Sequence, residues 1–343
     1  MKRRISTALV GLAAIAALVA VPSALASYTS TRLEIQQVGT KLTARISANP
    51  NDDPTASAIV LAPAGTQLTT NQAPGTVLGP VDAFATVLAL GGANVELKGH
   101  IVVAAPGQVP AAQSAPCLQG APPLATWLMV IDATTGQEIT VPLYLVSTAG
   151  GPFAAVGPAY VQVCLPAPDI PENQGGAPLG VKLYAATLTI SGVFGPVPAG
   201  AWISLWVPYT PRTGKPNPAG EVAAPAAVAP GGVTLKAKKL GLGAVVSGQV
   251  TQATQPRGGA VVTVFGGPTT RSLKKLGSVK ATASGNYAFR ARTGVFYRAT
   301  AVAASASAPT LCAALAAQLP PGLPCVNPTL NGFTASSKAA KKK

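Results

Sequence analysis

Histidine occurs once in the 343 residues, at His100, and acidic side chains occur only ten times, none beyond Glu221. A Ser-His-Asp hydrolase needs a histidine base held by a carboxylate and facing a serine. His100 lies in Lys98-Gly99-His100-Ile101-Val102, an expected strand, and no G-x-S-x-G occurs anywhere. That sequence reads as a half-buried sheet histidine. Apolar runs long enough to cross a membrane are missing after residue 21, and no LPxTG-type sorting signal is present. No glycine pair precedes a helix, so no phosphate-cradling loop is implied. No C-x-x-C occurs, which argues against a zinc site. The chain is read as non-catalytic, with no cofactor.

The first residues carry an address. Lys2, Arg3 and Arg4 precede an apolar run to Val21, Pro22 breaks it, and Ala24-Leu25-Ala26 offers small residues to a signal peptidase. Cleavage after Ala26 follows from that pattern. The mature chain is then secreted, extracellular or cell-surface associated, with no transmembrane span. Its four cysteines are even in number, as disulfides require. Of three pairings, Cys117–Cys164 and Cys312–Cys325 each stay within one expected domain.

Proline (33) and glycine (36) punctuate short β-branched and alternating runs, such as Lys41 to Ile46, Val181 to Ile190 and Trp202 to Val207. Many short strands separated by turn signals predict an all-β protein. The expected plan is two β-sandwich domains: residues 1–26 as signal peptide, 27–207 as the first sandwich, 208–232 as a Pro/Gly/Ala-rich linker, 233–308 as a second, basic sandwich, and 309–343 as a short helix, disulfide loop and Lys-rich tail. The one expected helix runs from Pro309 to Gln318, with Leu311, Leu315 and Leu319 on one face.

The stretch from about Ala244 to Ala301 resembles Ig-like and carboxypeptidase-regulatory-like β-sandwich modules of bacterial surface proteins. Ser247-Gly248-Gln249-Val250, Gly259-Ala260-Val261-Val262-Thr263-Val264, and Ala283-Ser284-Gly285-Asn286-Tyr287-Ala288-Phe289 carry the resemblance, with Thr282 where the family often has Asp. It implies an accessory or spacer module and no particular activity. Residues 28–209 are similar in style to exported proteins of high-GC Gram-positive bacteria.

Three groups of residues are candidates for chemistry. Asp52 and Asp53, in Asn49-Pro50-Asn51-Asp52-Asp53-Pro54, read as an Asx turn, with calcium binding or a carboxylate pair as sharper alternatives. Asp169 and Glu172 form a second acidic loop with the same readings. Trp127, Trp202 and Trp206 read as core or, alternatively, as an aromatic platform for a carbohydrate. That platform would make the first domain a glycan-binding protein or divergent glycan-active enzyme.

The third group is the strongest. From residue 222 onward there are fifteen Lys and Arg and no acid; residues 27–221 hold seven basic and ten acidic residues. Lys236, Lys238, Lys239, Arg271, Lys274, Lys275, Lys280, Arg290, Arg292 and Arg298 are the expected polyanion-binding set. Their expected partner is an anionic cell-wall polymer or anionic lipid surface, with no sequence-specific nucleic acid. Solvated strand edges defended by lysine are the competing reading.

Overall fold

In the computed structural model, residues 28–132, 138–197 and 199–343 are described. The expected signal peptide lies outside them.

The protein is all-β, with 24 strands among the described residues. The first unit contains β1 (Arg32–Val38), β2 (Lys41–Ser47), β3 (Thr55–Leu61), β4 (Val77–Val87), β5 (Ala93–Val103), β6 (Pro123–Asp132), β7 (Glu138–Ser147), β8 (Ala159–Cys164), β9 (Val181–Ser191), β10 (Gly200–Thr210), β11 (Lys215–Pro216) and β12 (Val222–Val228). The second contains β13 (Gly231–Val233), β14 (Lys236–Leu240), β15 (Gly243–Gln252), β16 (Gln255–Pro256), β17 (Val261–Gly267), β18 (Lys274–Lys280), β19 (Asn286–Ala291) and β20 (Phe296–Ala303). The remainder are β21 (Ala306–Ser307), β22 (Thr329–Leu330), β23 (Phe333–Ser336) and β24 (Ala340–Lys341), and two short helices are α1 (Ala111–Leu118) and α2 (Leu311–Leu315).

The first unit departs from the expected sandwich. Its strands form one continuous sheet in the order β1-β2-β9-β4-β5-β6-β7-β8-β3-β10-β12-β22-β21. Residues 327–332 then cover the free edge of β1. Gly332 N–H donates to Ile35 O (2.7 Å), Thr329 Oγ1 to Leu33 O (2.6 Å) and Asn327 Nδ2 to Thr31 O (3.1 Å). The sheet thereby closes around one apolar interior. Alternate residues of each long strand fill it, including Ile35, Leu42, Val81, Ile101, Met129, Leu143, Val161 and Leu188. Period-two alternation shows that one face is buried. It does not show whether a sheet splits in two or curls onto itself.

The expected linker also folds differently. Pro208, its expected first residue, lies inside β10, and Val222–Val228 is strand β12, paired antiparallel with β10 from Gly200↔Val228 to Trp206↔Val222. Ala223, Ala224 and Ala226 are fully buried, so the alanines permit close packing and do not mark a spacer. Pro225 fits because odd positions of β12 face the C-terminal segment: Ala223 N–H bonds Pro324 O (2.8 Å), while Asn331 N–H bonds Ala227 O (2.8 Å). The N–H that proline lacks is therefore not missed by β10.

Residues 309–343 are likewise structural in both units. Helix α2 is shorter than expected, but its leucine face is as read. Leu315 is buried, and Leu311, Leu319 and Leu323 pack with it over Ile203 and Leu205 on the outer face of β10. The Cys312–Cys325 bond closes this cap, and Cys117–Cys164 ties α1 to the end of β8, as the pairing from sequence anticipated. Helix α1 escaped the sequence reading because it is one short, uncharged segment carrying Pro116.

The second unit has two sheets facing each other. One contains β14-β15-β19 with β13 and β16 on β15; the other runs β18-β17-β20 with β23 and β24 on β20. Val246, Val250, Val262, Val264, Tyr287, Tyr297 and Ala299 fill the space between them. Tyr287 Oη donates to Thr234 O (2.6 Å), and burial pushes its pKa up to about 12. A raised folded-state pKa contributes stability that is complete below the ordinary value near 10 and is lost as pH rises through about 12. Urea unfolding at stepped pH should therefore show a larger loss between pH 10 and 12 for wild type than for Tyr287→Phe; equal slopes would remove this tyrosine from the alkaline limb.

A buried polar knot joins the units. Gln252 Nε2 donates to Asn331 O (2.7 Å) and Ala229 O (3.1 Å), and Ala229 N–H donates to Asn331 Oδ1 (2.6 Å).

Candidate functional site

The structure separates the three candidate groups. Trp127, Trp202 and Trp206 are 0, 1 and 3% exposed. Trp127 and Trp202 flank Phe194 in edge-to-face contacts, with ring centroids 6.5 and 5.3 Å apart, inside the closed sheet. Trp206 packs on Tyr28 and donates from Nε1 to Ser204 Oγ (3.0 Å). No ring offers a face to a sugar, so the aromatic platform is not built by these residues. Core packing claims all three: Trp127 of β6 and Trp202 of β10 fill the sheet's interior, and Trp206 of β10 packs with Tyr28, Ala58 and Val222.

Asp52 is also structural. Its carboxylate accepts from Thr29 N–H (3.0 Å), Thr29 Oγ1 (2.7 Å) and Asn49 N–H (3.1 Å), fastening the segment before β1 to the β2–β3 turn. Lys182 Nζ donates to Pro50 O (2.8 Å) and to Asp52 O, so its ammonium crosses the same loop. Burial lowers the Lys182 pKa against the opposing pull of Asp52, Asp53 and Asp169. Among the described residues no three His, Cys, Asp or Glu side chains gather as a metal site would need. In the second acidic loop, Asp169 Oδ2 accepts from Arg212 N–H (2.6 Å) and Glu172 Oε1 from Leu179 N–H (2.8 Å). Asp52→Ala should cost about 2–3 kcal/mol, because it strands two backbone donors and a hydroxyl. Thermal unfolding checks this, and adding calcium to wild type should leave the midpoint unchanged; a calcium-dependent rise would restore the metal reading.

His100 stands in β5 opposite Pro80 on one side and Val130 on the other. Two apolar cavities under the Asp52 loop, each about 50 Å³, share Thr55, Leu165 and Leu183. Each is smaller than the roughly 150 Å³ that admits benzene in an apolar protein core.

The basic residues behave differently. Of the fifteen beyond Glu221, thirteen are exposed, and only Arg257 and Lys342 are half-buried. Arg257 is a latch: its Nη2 donates to Ala304 O (2.5 Å), and burial lowers its pKa. The ion pairs among the described residues, Arg32–Glu34, Lys98–Asp82 and Lys98–Glu96, all lie in the first unit.

Register places the cations in rows. On the outer face of the first sheet of the second unit, Lys238, Val245 and Arg290 are directly opposed across three strands, with Lys236 and Ser247 forming the next row. On the outer face of the second sheet, Lys275, Phe265 and Arg298 form one row, and Lys280, Val261 and Val302 another. Between them runs a hydroxyl row, where Thr263 meets Ser278 (2.9 Å) and Thr300 meets Ser336 (3.0 Å). Strands about 4.8 Å apart set the flanking cations of a row about 10 Å from each other. Edge defence by lysine accounts for β14 and β18, which are edge strands. It does not account for Arg298, whose strand is paired on both sides, or for the lack of any acid.

The tail lysines belong to this surface, which the sequence reading did not assign to them. β24 pairs with β20 through Phe296↔Lys341 and Tyr297↔Ala340, and Lys343 N–H then bonds Ala237 O (3.0 Å) on β14. The tail thus bridges the two sheets. The ending Lys338-Ala339-Ala340-Lys341-Lys342-Lys343 is a weak strand signal, and a run of lysines ordinarily reads as solvated coil. The chain matches no protein-family model and no curated protein.

Proposed function

We propose that the protein is an exported, non-catalytic binding or structural module, held on an anionic polymer of the cell envelope by its basic C-terminal sandwich. One observation carries the reading: a folded unit whose outer faces bear exposed cations and no acidic side chain at all. Its summed field attracts polyanions and falls with ionic strength. Paired carboxylates would cancel such a field, and the first unit shows what that looks like at Lys98, Asp82 and Glu96.

Export is supported by the leader-like first 26 residues and by two disulfides, which persist in oxidising compartments. Among the described residues no helix is long and apolar enough to cross a membrane. The Ig-like or carboxypeptidase-regulatory-like character of the second unit is supported by β15, β17 and the residues around β19, which fall on the segments carrying that resemblance. The non-catalytic reading is supported by Asp52 and His100, whose surroundings are backbone donors and sheet neighbours.

The test is co-sedimentation of the full chain with isolated envelope fragments at low salt, before and after chemical removal of their anionic polymers. Most of the protein should pellet with intact fragments and stay in solution with stripped ones. A chain that stays in solution with intact fragments contradicts the proposal.

A further inference from the structure

At one end of the second unit, three separate segments meet around an open cleft of about 750 Å³. Lys274 reaches it from the start of β18, Arg292 from the β19–β20 connection, and Lys342 from the tail. Ser272 and Thr293 add hydroxyls, and Leu242, Leu276 and Val295 give it an apolar wall. No acidic side chain lines it.

The walls are fixed by backbone. Val295 N–H donates to Gly267 O (3.0 Å), and Lys342 N–H donates to Val295 O (2.8 Å), so the connections and the tail are laced together. Tyr297 Oη reaches the carbonyls of Thr293 and Gly294, each at 3.0 Å. Gly267 has no room for a side chain: a Cβ there would lie 2.1 Å from Ser272 O. Lys342 Nζ donates to Leu242 O (3.1 Å), which holds its ammonium at the cleft and leaves further N–H donors free. Among the described residues, Lys274 and Arg292 take part in no ion pair.

Three cations on rigid, converging walls differ from cations spread over a flat face. A flat face attracts charge without registering it. A concave cluster places several donors around one anion while an apolar wall receives the carbon skeleton beside it. We infer that this cleft is the registering site for the polymer, taking a phosphodiester-linked polyol chain, with Lys274, Arg292 and Lys342 on its phosphates and Leu242, Leu276 and Val295 against its carbons. The inference rests on the proposed polyanion reading. The concavity favours a soluble chain over a bilayer, since a planar membrane surface does not enter a cleft.

The test uses the full chain and poly(glycerol phosphate) at low salt, followed by calorimetric titration. The triple variant Lys274→Gln, Arg292→Gln, Lys342→Gln is compared with Lys236→Gln, Lys238→Gln, Lys280→Gln, which removes the same charge from the outer faces. Thermal unfolding verifies that both fold. The cleft variant should bind at least tenfold more weakly, and the outer-face variant less than threefold more weakly. Equal weakening would overturn the cleft as a site while leaving diffuse attraction intact. No binding by wild type would overturn the polyanion reading itself. Tighter binding to phosphatidylglycerol vesicles than to the soluble polymer would overturn the choice of ligand.

Discussion

Raising monovalent salt from 50 to 200 mM should weaken binding of the full chain to a linear polyphosphodiester by about 100-fold. The figure follows from counterion release: a flexible polyanion neutralised by about five cations gives a log–log slope near −3.5, and a fourfold rise in salt then costs about two decades. Five is a modest share of the fifteen cations available. Three line the cleft, and neighbouring rows such as Lys275 and Arg298 extend the contact. The rows also explain why no measurable affinity is needed from the first unit, whose cations at Arg32 and Lys98 are already paired. Binding measured across a salt series by anisotropy of a labelled polymer gives the slope directly. A slope near zero would mean that contacts other than charge hold the ligand.

Trp202→Ala should lower the stability of the first unit by about 3–5 kcal/mol, whereas Trp202→Phe should cost about 1 kcal/mol. The ring is fully buried against Phe194 and has Ala224 and Ala226 of β12 in the same core, so truncation leaves a cavity that small neighbours cannot fill. Phenylalanine keeps most of the volume. It also removes the indole N–H, which has no hydrogen-bond partner among the described residues. The larger loss corresponds to a fall of roughly 10 °C in the unfolding midpoint for a unit of this size. If Trp202→Ala instead left the midpoint unchanged, the ring would be free of the core, and the sugar-platform reading would return.

The all-β class and the leucine face of α2 were legible because each depends on local pattern, alternation and helical spacing, and the disulfide pairings because each pair stays within one expected segment of the chain. The closure of the first sheet was not legible, because it depends on residues 327–332 meeting β1 across almost the whole chain. The linker was misread for a related reason. Proline and alanine in 222–228 have the composition of a spacer, and only the partner strand β10 and the C-terminal segment turn them into a buried strand. The charge segregation was visible in sequence, but the cleft was not. Lys274, Arg292 and Lys342 are up to 68 positions apart, and it is the pairing of β24 with β20 that brings the last of them in.

If the proposed polyanion binding holds, the position of the cations and not net charge alone sets the affinity. Two variants of the full chain with the same change in formal charge decide it. One carries Gln at Lys238, Lys274, Lys275, Arg290, Arg292 and Lys342; the other carries Gln at Arg32, Lys41, Arg45, Lys98, Arg212 and Lys215. Titrated with poly(glycerol phosphate) at 50 mM salt, the first should lose at least 50-fold in affinity and the second less than threefold. Equal losses in the two would contradict the account.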